Sequence, residues 1–250
     1  LLAAREHDGI VLDRYRNHLK KLVDDLKARM SLKKDGWDLP ECLNAARSVI
    51  VEAHGYEGDT GNYDDIQNAD LIRVIDRRKG IPVSLAILYL HTMRAVGWHV
   101  EGLNVPGHFL LRIEDTGQRV IFDPFNDAKI LEAPDLRAIV KQTVGFHAEL
   151  SSEYFETAGK REILLRLQNN IKTRKISGED YEGALRVVQA MQMIAPDEYR
   201  LWLDAGVLYA RTEQPGYAID YLEKYLPYAS SHQDRQQVLM LLETMREMLH

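Results

Sequence analysis

Apolar residues near the start of the chain recur at three- and four-residue spacing. Ile10, Leu12, Tyr15, Leu19, Leu22, Val23 and Leu26 stand among charges. That period gathers the apolar side chains on one face of a helix. Gly36 and Pro40 punctuate the chain, and Leu43, Ala46, Ile50 and Ala53 form a second stripe that stops at Gly55. The pattern then changes class. Residues 58–63 are rich in Gly, Asp, Asn and Thr and predict a loop. Asn68 is the expected cap of a helix reaching Asp76 on Leu71, Ile72, Val74 and Ile75, with Gly80 as its breaker. Residues 82–96 are apolar on nearly every side, which marks a buried helix. Gly97 supplies its stop. Residues 98–103, 108–113 and 119–123 read as strands. Asp115, Thr116 and Gly117 turn the last two into a hairpin that Pro124 ends.

From about residue 160 the chain reads as helical again, and it repeats. Ala184 and Ala218 are 34 residues apart, as are Leu185 and Ile219, and Val188 and Leu222. Trp202, Gly206, Tyr209 and Pro196 fall at fixed offsets from them. This period and residue set resemble the tetratricopeptide repeat. Small residues at Gly206 and Ala218 are expected where paired helices approach closely. Residues 163–174 lack the Trp and Gly, so that repeat is degenerate.

Composition narrows the function classes. With 45% apolar and 28% charged residues, the 250-residue chain can bury a core beneath a polar surface. A net charge of -6 disfavours a nucleic-acid partner, which needs a basic face. The longest apolar run, residues 81–90, is too short to cross a bilayer, so no membrane association is expected. One cysteine, Cys42, excludes an internal disulfide and a multi-cysteine zinc site. The start of the chain does not read as a secretory leader, and a cytoplasmic protein is expected. His54, His91 and His99 have no ligand spacing, so neither a metal nor a cofactor is expected. The Arg77-Arg78-Lys79 run follows a helix end and fits compensation of the helix dipole.

The most informative stretch runs from Arg77-Arg78-Lys79-Gly80-Ile81-Pro82-Val83-Ser84-Leu85-Ala86 to Arg94-Ala95-Val96-Gly97. Pro106-Gly107-His108-Phe109-Leu110-Leu111-Arg112 and Phe122-Asp123-Pro124-Phe125 follow. In order and spacing these segments resemble the transglutaminase-like superfamily, and specifically its bacterial SirB-type branch with a tetratricopeptide tail. The resemblance implies an α+β fold, mainly helical. Residues 1–56 would form an N-terminal helical region. Residues 57–150 would form a papain-like core with a small antiparallel sheet, and residues 160–250 the repeats. It also implies a cysteine opening the buried helix, a histidine on a following strand and an aspartate on the next.

Carried onto this chain, the flanking positions fall on Gly80, Ala86, Arg94 and Gly97, and the cysteine position falls on Pro82. Proline has no nucleophile but suits the first helical position, because the N–H it lacks would be unpaired there. His108 and Asp123 fill the other two triad positions. Ser84 is a candidate substitute nucleophile, but it lies two residues on and roughly 200° around the helix at about 3.6 residues per turn, so it would point away from that position. Its other reading is a local hydrogen bond near the helix start. Arg112 shares a strand face with His108 and is either an anion contact or half of an ion pair. Asn104, before the Val105-Pro106-Gly107 turn, is a turn residue or a ligand contact.

Two classes of function are therefore expected. The first is a non-catalytic, regulatory binding protein that takes a protein or peptide on the repeats and a small ligand in the vestigial cleft. The second is a hydrolase or acyl-transfer enzyme using His108 and Asp123, with Ser84 or a water as nucleophile.

Overall fold

The computed structural model describes residues 2–7, 9–33 and 36–249. The chain divides into two compact units, one ending at Ile163 and one beginning at Leu164.

In the first unit, helix α1 (Leu12–Met30) buries Tyr15, Leu22, Val23 and Leu26 of the apolar stripe. Helix α2 (Leu39–Arg47) starts at Asp38, whose carboxylate accepts from the Glu41 amide while Glu41 accepts from the Asp38 amide. This reciprocal box satisfies two donors that the helix itself leaves unpaired. One wider turn, Ser48–Ala53, carries α2 on to His54.

Helix α3 (Leu71–Arg77) is capped by Asp70, which accepts from the Ile72 amide at 2.9 Å. The expected cap, Asn68, lies in the preceding 3-10 turn, fully buried, and donates to the Asn62 carbonyl. Gly80 does not break α3 either. Arg78 does, in the left-handed conformation at φ 63°. Gly80 instead belongs to strand β2 (Lys79–Gly80), which pairs in parallel with β1 (Glu57–Gly58). The residue content of the 58–63 loop hid β1, because two-residue strands have no period to read.

Helix α4 (Pro82–Ala95) buries side chains all around its circumference, among them Val83, Leu85, Leu88, Leu90 and Met93. Each such apolar side chain contributes about 1.5–3 kcal/mol by leaving water. Gly97, at φ 91°, follows it. Strands β3 (His99–Leu103), β4 (Leu110–Asp115), β5 (Gln118–Asp123), β6 (Lys129–Leu131) and β7 (Thr157–Ala158) form one antiparallel sheet in the order β6-β5-β4-β3-β7. Thr116 and Gly117, both at positive φ, join β4 to β5 in a two-residue turn of the type that matches strand twist.

On one face of the sheet, Phe122 meets Tyr89 of α4 edge-on at 5.6 Å. On the other, Leu103, Leu110 and Leu131 pack with Leu136 and Val140 of helix α5 (Ala133–Val144). The apolar pattern did not announce α5, β6 or β7.

The second unit holds most of α6 (Lys160–Ser177), then α7 (Tyr181–Ile194), α8 (Arg200–Arg211), α9 (Pro215–Tyr225) and α10 (His232–Glu247). A Cβ on Gly206 would lie 2.7 Å from Leu222 Cγ, so only glycine lets α8 and α9 approach this closely. Leu222 and Tyr225 continue that contact to Val238 and Leu242 of α10.

Candidate functional site

The start of α4 is organised by one hydroxyl. Ser84 is fully buried, and its Oγ accepts from the Ile81 amide at 3.0 Å. The same oxygen lies 2.8 Å from the Asn68 carbonyl and 3.0 Å from the Ile81 carbonyl, to which it can donate its single proton. Pro82 opens the first turn, where its missing amide costs nothing. Gly80 has to be glycine here, because a Cβ would come within 2.5 Å of Ser84 Oγ. Ser84 is therefore placed as a helix-start residue, bonded to Ile81 and Asn68, rather than as a group open to a substrate.

His108 does not lie within a strand, as the periodicity suggested. The Val105-Pro106-Gly107-His108 segment closes a turn first, with the His108 amide donating to the Val105 carbonyl at 3.0 Å and Gly107 at φ 73°. The ladder begins only at Leu110. Asp123 is the last residue of β5, so both residues stand at the open end of the β4–β5 hairpin, away from its turn. His108 is half-buried there. The Asp123 carboxylate is buried and accepts from the Phe125 amide at 2.8 Å and the Asn126 side chain at 2.6 Å. It thus organises a loop in which Asp127 and Ala128 both take positive φ.

A chain of close contacts ties this loop to the α4 start. Gly80 pairs with Gly58, and a Cβ on Gly58 would sit 2.5 Å from the Phe125 carbonyl oxygen. Tyr63 meets the Phe125 ring edge-on at 5.8 Å. Pro82 and Asp123, 41 positions apart, are joined through Gly80, Gly58 and Phe125.

Arg112 is committed to its neighbours. Its guanidinium reaches Glu101 at 2.7 Å and Glu114 at 3.0 Å, and it donates to the Phe155 carbonyl at 3.3 Å. The ion-pair reading of Arg112 describes this placement. Asn104 is exposed between β3 and the Pro106-Gly107 turn. His99, Glu101 and Glu114 come together on one sheet face, but Arg112 already pairs with both carboxylates there. Cys42 lies in α2, 4% exposed, and burial pushes its thiol up to about 11. It plays no part in this region.

One contributor was missed. Arg77 does not simply compensate a helix dipole. It donates to Asn68 at 3.1 Å and to Asp59 at 3.3 Å, and reaches Asp65 at 3.4 Å. Burial pushes the Asp59 carboxyl up, yet the Asn62 amide, Asn68, Lys79 and Arg77 together hold it below its ordinary range. The three acceptors cluster within residues 59–68, ahead of a lone run of basic residues. That pairing of charges was the available signal.

In the second unit, a groove of about 730 Å³ is lined from α6 by Arg166 and Lys172, from α8 by Leu203 and Asp204, and near α10 by Ser230 and Asp234. Lys172 and Asp204 form an ion pair across it. A second hollow of about 380 Å³ shares Leu203 and Asp204 and adds Ile176, Val207, Val238 and Leu241. Among the described residues, no helix is long and apolar enough to cross a membrane.

Comparison with known proteins agrees with this anatomy. Residues 13–169 match the sequence model of the transglutaminase-like superfamily, and residues 171–243 match a tetratricopeptide repeat. A UPF0162 protein of Xylella fastidiosa is 26% identical over 236 residues, covering 93% of this chain and 83% of that protein. A UPF0162 protein of Vibrio cholerae is 30% identical over 181 residues, covering 72% and 67%. Protein SirB1 of Salmonella typhimurium is 26% identical over 174 residues, covering 69% and 64%. No solved structure matches the chain.

Proposed function

The chain belongs to the transglutaminase-like superfamily, on its SirB-type branch with tetratricopeptide repeats, and from that footing we propose that it works by binding, as a regulatory module without acyl-transfer chemistry. One observation carries the reading. The Ser84 hydroxyl is buried and bonded to Ile81 and Asn68, and the family resemblance, carried onto this chain, puts the cysteine position on Pro82. A thiolate at a helix N-terminus is what the family's chemistry needs. Here the helix start survives and the nucleophile does not.

The binding element is the repeat tail. Its groove offers Leu203, Val207 and Val238 as an apolar floor, with Lys172, Asp204 and Arg211 as charged landmarks. That composition suits a peptide or helix from a cytoplasmic protein partner, apolar on one side and charged at its margins. His108 and Asp123 remain as the rim of a vestigial cleft that takes a small ligand without turning it over.

The test has two arms on the full chain. Incubation with glutamine-containing peptides, amines and activated esters should give no turnover above buffer. Proteins that co-purify with the chain should be lost from a Leu203→Glu, Val207→Glu double variant that keeps its helical circular dichroism. Turnover abolished by His108→Ala would overturn the reading in favour of water- or serine-based hydrolysis.

A further inference from the structure

Away from the cleft, His18 of α1 stands in an unusual setting. Its Nε2 lies 2.7 Å from Nη1 of Arg78 and 2.8 Å from the Tyr56 hydroxyl. Arg78 also donates to the Tyr56 oxygen at 2.5 Å, and its guanidinium lies 4.8 Å from the Tyr56 ring centroid. A guanidinium has only donors. Nε2 must therefore present its lone pair to Arg78, so the imidazole is neutral with its proton on Nδ1. A proton on Nε2 would set two cations 2.7 Å apart and destroy the bond.

The other charges facing this point come from every neighbouring element. On α1 itself, Arg14 and Lys21 lie on the same stripe. Arg14 pairs with Asp76 of α3, and Lys21 pairs with Asp25. From the turn after α2, His54 stacks edge-on against His18 at 5.4 Å and binds Asp25 at 2.7 Å. Glu52 is taken by Arg47, and on the β1–β2 ladder Glu57 is taken by Lys79. Of the ionisable groups on α4, Tyr89 faces Phe122, Arg94 donates to the Val100 carbonyl, and His91 is exposed. The nearby acids are thus engaged with other partners, and cations dominate around His18. Burial first, then Arg78, then His54, Lys21 and Arg14 push its pKa down to about 4.

The position of this contact gives it reach. Tyr56 immediately precedes β1 and Arg78 immediately precedes β2. That two-strand ladder carries Gly58 against Phe125 and Gly80 against Ser84. We propose that His18 is a proton-operated clasp, which holds α1 on the β1–β2 ladder while its ring is neutral and lets go when the ring is protonated. The sign follows directly. A histidine whose pKa is lowered in the closed state contributes no penalty above its open-state value near 6.5. The clasp then weakens as pH falls from about 6.5 to about 4.

Hydrogen exchange by mass spectrometry on the full chain tests this, comparing wild type with His18→Gln. Glutamine keeps an acceptor for Arg78 and does not titrate. After correction for intrinsic exchange, and with α8 amides as the internal reference, opening of α1 in wild type should rise about 20-fold more than in the variant between pH 6 and 4.5. Parallel profiles for the two proteins would overturn the proposal. If His18→Gln does not fold, the imidazole resonance of His18 in the wild type decides. A midpoint below pH 5 that climbs toward 6.5 in Arg78→Gln supports the clasp, and a wild-type midpoint near 6.5 sinks it.

Discussion

The Ser84 hydroxyl reaches the carbonyl of Asn68 at 2.8 Å, across 16 residues of chain. That bond stitches the start of the buried helix to the turn ahead of α3, and Asn68 is in turn gripped by Arg77. A side chain in the position of a substitute nucleophile is thereby a structural tie.

Ser84→Ala should accordingly behave as a stability variant. It leaves the Ile81 amide with only its bond to Asn68 and strips a donor from the Asn68 carbonyl. A loss of about 1–3 kcal/mol is expected for a buried bond of this kind. Urea denaturation measures it, and partner capture by the repeats should be unchanged in the folded variant.

Asp123→Asn probes the loop. Phe125 can still donate to the new carbonyl oxygen, but the amide nitrogen would face the Asn126 side-chain donor. The expected cost is about 1 kcal/mol, with the Phe125 amide and the exposed Asn126 side chain now sharing one acceptor oxygen. Asp123→Asn should lower the urea midpoint by more than His108→Ala does. If Asp123 served only to orient the histidine, the two variants would cost the same.

Cys42 should resist thiol reagents. At 4% exposure, and with its pKa pushed up to about 11, it presents almost no thiolate at pH 8. Reaction with a chromogenic disulfide should be slow in the native protein and complete within minutes in denaturant. Fast native labelling would show that α2 opens readily.

Gly206→Ala tests the repeat contact. The added carbon would lie 2.7 Å from Leu222 Cγ and 3.3 Å from the Leu222 amide nitrogen. Separating α8 from α9 should cost about 1–3 kcal/mol. Loss of ellipticity on heating should come earlier, and proteolysis should cut first within residues 200–225.

Much of this anatomy was legible because it is local. The all-round apolar run of α4, the Thr116-Gly117 turn and the 34-residue offset between Ala184 and Ala218 each state their structure within a few turns of chain. Periodicity is a property of the backbone itself, so it survives without knowledge of neighbours. Where the family resemblance places the cysteine is also read from sequence, and on Pro82 no thiol is on offer wherever the residue lies. What only the tertiary structure decided were the partners of polar groups. Asn68 looked like a cap and is instead a buried bracket for Arg77 and Asn62, while Asp70 caps. His108 looked like a strand residue, but the turn that precedes β4 must close its own hydrogen bond before the ladder can start. β1 and β2 lie 22 residues apart and exist only because α3 folds between them. His18 and Arg78 meet across 60 residues. Polar groups must find partners wherever burial carries them, and the folding of the whole chain selects which ones they find.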